Sequence, residues 1–144
     1  MTGPADIWVA VKEGDERSFQ IENISRTHFV RYAGGGGDFN PIHHDQTVAE
    51  AAGLPTVFGM GMFTAGVLSR LPVDWFGPES VKRYAVRFAS RIWPGDTITC
   101  RGTVARVYDE GGVTHVDLDL SVENQSGEML IQAEATMRPW SAPT

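Results

Sequence analysis

Two side chains able to move protons stand five residues apart in one short stretch: Asp38 and His43 in YAGGGGDFNPIH, Tyr32 to His43. A histidine titrates near neutrality, and a carboxylate beside it can hold a water or exchange its own proton. Pro41 and Asn40 between them limit the freedom of the loop. That is a pairing suited to acid–base chemistry on a small molecule. On residue types alone a plainer reading is favoured, with Asp38 capping the next segment and His43 buried and hydrogen bonded. A second stretch, GMGMFTAGVLSRL from Gly59 to Leu71, opens a predicted helix on glycine. The first N–H groups of such a helix point outward at the positive end of its dipole, where they could hold a developing oxyanion. A glycine needed only for close packing explains the same residues at least as well.

Other candidates carry less. His43, His44 and Asp45 could be offered as metal ligands, but adjacent histidines in extended chain point opposite ways and no Cys/His cluster accompanies them. His28 falls in a predicted helix and His115 on a predicted polar strand face. Cys100 lies in a predicted strand without a local base, which fits a buried structural thiol. Ser69 lacks the strand–turn–helix setting of a hydrolase nucleophile.

The elements that must position the pair follow from periodicity. Residues 1 to 14 read as an irregular or edge segment. Alternation of Phe19 and Ile21 predicts a short strand over 17–22. Ser25 is a candidate N-cap for a helix to about Ala33, with Phe29, Val30 and Ala33 as its buried stripe and Gly34 to Gly37 as its end. Asp45 to Ala52 predicts a short helix stopped by Gly53. The helix in the stretch to Leu71 is apolar almost all round from Met62 to Leu68, broken only by Thr64, so it should be wrapped by sheet, with Pro72 ending it. Strands follow: one through Tyr84, Val86 and Phe88, then a WPGD turn (Trp93 to Asp96). The next, Thr97 to Val107, has its apolar parity broken after Val104, the signature of a bulge. Glu110-Gly111-Gly112 turns the chain into an alternating strand through Val116, Leu118, Leu120 and Val122. Gln125-Ser126-Gly127 turns it again into a last strand from Met129 to Met137, and the tail after Trp140 is expected to be loose. The order implies an α+β domain in which an antiparallel sheet curls round one helix.

Size and composition agree with one domain over residues 1–144. No apolar run reaches a membrane span, the N-terminus lacks a signal-peptide layout, and the single cysteine fits a reducing cytoplasm. A net charge of −6 argues against general nucleic-acid or membrane-surface binding.

YAGGGGDFNPIH resembles the hydratase motif of MaoC-like dehydratases and (R)-specific enoyl-CoA hydratases, where an aromatic and a small-residue turn lead into G-D-x-N-P-x-H. GMGMFTAG is similar to the segment that opens that family's central helix, and WPGD to its P-G-D turn. The resemblance covers residues 10 to 138. It implies the hot-dog fold and syn addition of water to a trans-2-enoyl thioester, giving the (R)-3-hydroxyacyl thioester, or the reverse. By position it implies that Asp38 and His43 share the catalytic water and that the Gly61 N–H holds the thioester carbonyl. Asn40 would steady the loop or the water, and Ser69 would lie near the site. Met60 stands where the family usually has a histidine, and Gly36 lies in a looser run than usual. No cofactor is implied beyond a substrate carried on CoA or acyl carrier protein. A homodimer is implied, or a heterodimer with another hot-dog subunit, with the pocket along its interface. Arg87, Arg83 and Lys82 are then candidates for phosphate contacts, and Met60, Met62 and Phe63 for lining the acyl-carrier slot. An acyl-thioesterase and a non-catalytic subunit are the alternatives. Thioesterases of this fold commonly carry a carboxylate on the central helix, which the predicted helix lacks, and a silent subunit would need neither Asp38 nor His43.

Overall fold

The computed structural model describes residues 4–140. Five strands make one antiparallel sheet: β1 (Glu16–Ile21), β2 (Val81–Phe88), β3 (Ile98–Glu110), β4 (Val113–Asn124) and β5 (Met129–Met137). Their spatial order is β1-β3-β4-β5-β2, so β1 and β2 are the edges. The helices are α1 (Pro4–Ala10), α2 (Arg26–Gly36), α3 (Gln46–Ala51) and α4 (Gly61–Phe76). The sheet packs its apolar face on α4, the hot-dog arrangement.

Alternation explains that packing. Val116, Leu118, Leu120 and Val122 all point to the α4 side and are buried, as are Ala133, Ala135 and Met137 of β5. From α4, Phe63, Leu68 and Leu71 meet them, each buried side chain of this size contributing about 1.5–3 kcal/mol. Gly102 of β3 lets the helix come close: a Cβ there would stand 2.6 Å from Leu71 Cδ2. The expected bulge falls between Val104 and Arg106, and the WPGD turn closes when Asp96 accepts the Trp93 N–H at 2.8 Å. Cys100 is fully buried, and burial pushes its thiol up to about 12, so it is an inert core residue.

Several expectations are corrected. Residues 4–10 form a helix, held because Trp8 packs on Phe76 with ring centroids 5.1 Å apart. Helix α2 does not stop at the glycines but runs through Gly36, and only Gly37, at φ 74°, ends it. Val30 faces outward, 57% exposed, while Phe29 and Ala33 are buried. Pro72 lies inside α4, which continues to Phe76. A proline there costs about 3 kcal/mol, and burial of Leu71, Pro72, Trp75 and Phe76 offsets it. The extension brings exposed Asp74 onto the helix, so it does carry a carboxylate. Thirteen residues from Gly61, it stands about 20 Å along the axis from the helix start. Met62 is exposed, so α4 is not buried all round. His115 is buried, stacked on Tyr108 at 5.4 Å with Lys82 Nζ 3.3 Å from its Nε2. The tail after Trp140 lies outside the described residues.

Candidate active site

Three segments meet at the N-terminal end of α4. Helix α2 delivers the chain to Gly37, and an Asx-type turn follows in which the Asn40 N–H donates to Asp38 Oδ1 at 3.3 Å. Asn40 Oδ1 then accepts the Ile42 N–H at 3.2 Å, capping the 3₁₀ turn Pro41–His43. Asn40 thus fixes both the carboxylate and the turn that carries the histidine. Asp45 caps α3 in the same way and anchors the far side of this loop.

His43 is held from behind. Its Nδ1 lies 2.7 Å from the Phe58 carbonyl oxygen, which can only accept, so Nδ1 carries the proton. With Nδ1 so engaged, a neutral ring presents a bare Nε2, and this atom faces Asp38 Oδ2 at 3.7 Å. The His43 side chain is 10% exposed and that of Asp38 46%. Two acceptors cannot bond each other, and at that separation both are placed to accept from one water. The Phe58 ring also packs edge-on against His43 at 5.0 Å. Nothing in the sequence signalled Phe58, because a backbone carbonyl acts the same whatever side chain it bears.

Gly61 is the first residue of α4, and its N–H has no partner within the helix. It opens on a cleft of about 450 Å³, shared with Thr64, Phe88, Ser90, Arg91 and Trp93. On the other side of Met60 lies a cleft of about 200 Å³ that includes His43. The connecting segment is tight. Gly59 donates its N–H to the Ile92 carbonyl at 2.9 Å, and a Cβ on Gly59 would stand 2.5 Å from both Ile92 Cγ2 and Phe29 Cε1. Gly59→Ala should therefore destabilise the protein by about 1–3 kcal/mol in urea unfolding, since both neighbours are buried and cannot swing away.

The remaining candidates fall elsewhere. Ser69 donates its hydroxyl to the Gly66 carbonyl at 2.7 Å and stands about 12 Å along α4 from Gly61, outside both clefts. Lys82 pairs with Glu110 at 3.2 Å and Arg83 with Glu134 at 3.0 Å, while Arg87 lines a groove on the sheet face away from α4. The cation that opens on the Gly61 cleft is Arg91, lying over the Phe58 ring. Met60 lines the cleft beside His43, Phe63 packs into the core, and Met62 is exposed. Among the described residues no group of three or more His, Cys, Asp or Glu side chains could hold a metal. Among the described residues no helix is long and apolar enough to cross a membrane.

Residues 10–125 match the family model for the MaoC like domain. The chain belongs to the MaoC-like dehydratase family. This MaoC-like chain is 29% identical over 133 residues to an (R)-specific enoyl-CoA hydratase of Rhodospirillum rubrum, covering 88% of this chain and 87% of that one. It is 48% identical over 73 residues to a 3-hydroxyacyl-thioester dehydratase X of Mycobacterium tuberculosis, covering 50% of this chain and 25% of that one. The MaoC-like chain spans between 7% and 26% of the length of the first curated relatives it matches. Its fold matches a chain of the ChsH1-ChsH2 complex from M. tuberculosis with a TM-score of 0.78, covering 90% of this chain and 99% of that one at 23% identity.

Proposed function

We propose that this chain adds water to a trans-2-enoyl thioester to form the (R)-3-hydroxyacyl thioester, or runs the same reaction as a dehydration. The observation that carries the reading is His43 Nε2 facing the Asp38 carboxylate at 3.7 Å, with the ring anchored through Nδ1 on the Phe58 carbonyl. One water donating to both groups presents its oxygen to C3 of the enoyl group. As the C3–O bond forms, one of the pair takes a proton from the water, and the pair then returns that same proton to C2, so H and OH add to the same face. Electron density moves from the C2–C3 double bond onto the thioester oxygen. There the Gly61 N–H and the positive end of α4 stabilise it until C2 is protonated. The chain's residues supply every step, and the carrier is CoA or acyl carrier protein.

Edge strand β2 supports pairing with a second hot-dog subunit, since among the described residues its outer side has no strand partner and Phe88 stands exposed beside the Gly61 cleft. A second copy of this chain is the simplest occupant. The fold match to one chain of a two-chain complex keeps a different subunit in play. Asp74, at the far end of α4, gives no support to a thioesterase reading.

The test is hydration of butenoyl-CoA by the purified chain, followed as loss of conjugated-thioester absorbance, with product chirality and free thiol measured alongside. Absorbance loss with (R) product and no thiol supports the proposal. Thiol release without hydration overturns it in favour of hydrolysis. Activity gained only on adding a second hot-dog subunit assigns the heterodimer.

A further inference from the structure

We propose that the cleft of about 200 Å³ beside His43 holds the acyl tail of the substrate, and that it selects a short-to-medium aliphatic chain over a fused-ring acyl group. This rests on the hydratase reading and adds the substrate class. The cleft is lined by Phe29, Val30, Ala33, Phe39 and Met60, with His43 and His44 as its polar residues. Phe29 is held at the floor by an edge-on contact with Phe63 at 5.7 Å. Ala33 is buried beside it. At the rim, Val30 is 57% exposed and Phe39 64% exposed. Two large apolar side chains turned to water at the mouth of a cleft mark a surface that gains from being covered. Its position names the occupant. His43 must reach C3 of the enoyl group, so the carbons beyond C3 start at the wall of this cleft.

The two clefts differ in chemistry as the two ends of the substrate do. The Gly61 side offers Thr64, Ser90, Arg91 and Trp93, groups able to meet the amides of a pantetheine arm. The His43 side offers almost only hydrocarbon. With the thioester carbonyl on Gly61, the carrier leaves through the first and the tail enters the second. Size then sets the class. Pockets for drug-sized ligands run to about 300–1,000 Å³, and this cleft lies below that range. It suits a few methylenes.

The experiment compares kcat/KM for butenoyl-, hexenoyl-, octenoyl- and dodecenoyl-CoA and one fused-ring enoyl-CoA, in wild type, Ala33→Leu and Phe39→Ala. In wild type, kcat/KM should rise about fourfold per methylene up to octenoyl and then level off, with the fused-ring substrate far below. Ala33→Leu fills the floor and should lower the octenoyl-to-butenoyl ratio by about tenfold or more. Phe39→Ala removes an exposed ring, which spares the fold, and should reduce the rise per methylene to about twofold or less. Wild-type hydration of butenoyl-CoA with a chain-length profile unchanged in both variants overturns the acyl placement and leaves the hydratase reading standing. If the unchanged profile comes with weakened self-association, the cleft belongs to a second subunit. Hydration of none of the aliphatic substrates, with a second hot-dog subunit added as well as without it, overturns the hydratase reading and this proposal together.

Discussion

Asp38→Asn and His43→Ala each lower kcat for enoyl-thioester hydration by about 10²–10⁴-fold, the range set by removing a positioned proton-transfer group. KM should change little, because neither side chain lines the carrier cleft. Asparagine keeps the size of Asp38 and an oxygen for the Asn40 N–H, so the turn survives while the negative charge that steadies a proton on His43 is gone. The His43 change also removes the bond to the Phe58 carbonyl, at a cost of about 1 kcal/mol in stability. On the proposed mechanism both groups grip one water, so the double variant should be hardly slower than the worse single one. Single variants within tenfold of wild type, in folded protein, would place the chemistry elsewhere. A double variant as slow as the product of the two single losses would mean that the groups act independently.

Where each element faces one environment, the chain announced it. The strand through Val116, Leu118, Leu120 and Val122 is half buried, so period two is visible, and the parity slip after Val104 marks the bulge where Val104 and Arg106 fall out of register. The motif around Asp38 was legible because local chemistry fixes it: the glycine stop, the Asn40 cap and Pro41 all act within a few residues. What could not be read depends on distant partners. Pro72 reads as a stop, yet α4 passes through it because Trp75 and Phe76 find places in the core, Phe76 against Trp8 from α1. The same contact turns residues 4–10 into a helix. Val30 was misassigned because the buried arc of α2 is narrow, and its neighbour on the outer side is a cleft instead of core. His115 sits on the strand face read as polar, but Tyr108 and Lys82 close over it. The anchor on His43 was invisible in principle, because it is the carbonyl of Phe58, fifteen residues away, and no residue type encodes it.

Gly61→Pro isolates the oxyanion donor, and kcat should fall by about 10²–10³-fold with the fold intact. Proline removes the one backbone N–H aimed at the carbonyl, and at the first position of a helix that N–H makes no intrahelical bond to lose. The preceding residue must avoid the helical region, and Met60 already lies at φ −61°, ψ 138°, the conformation a following proline demands. The obstacle is steric, since a Cβ on residue 61 comes within 2.9 Å of Phe88 Cε1. Phe88 is a half-exposed side chain on edge strand β2 and can turn aside. Gly61→Ala separates crowding from chemistry, because alanine brings the same Cβ and keeps the donor. If crowding alone matters, the two variants lose the same activity. If the N–H carries the enolate, alanine stays within about tenfold of wild type while proline falls the full amount, with the loss in kcat and not in KM. Equal kcat for proline and wild type would remove Gly61 from the mechanism and leave the Asp38 and His43 assignments to stand on their own test.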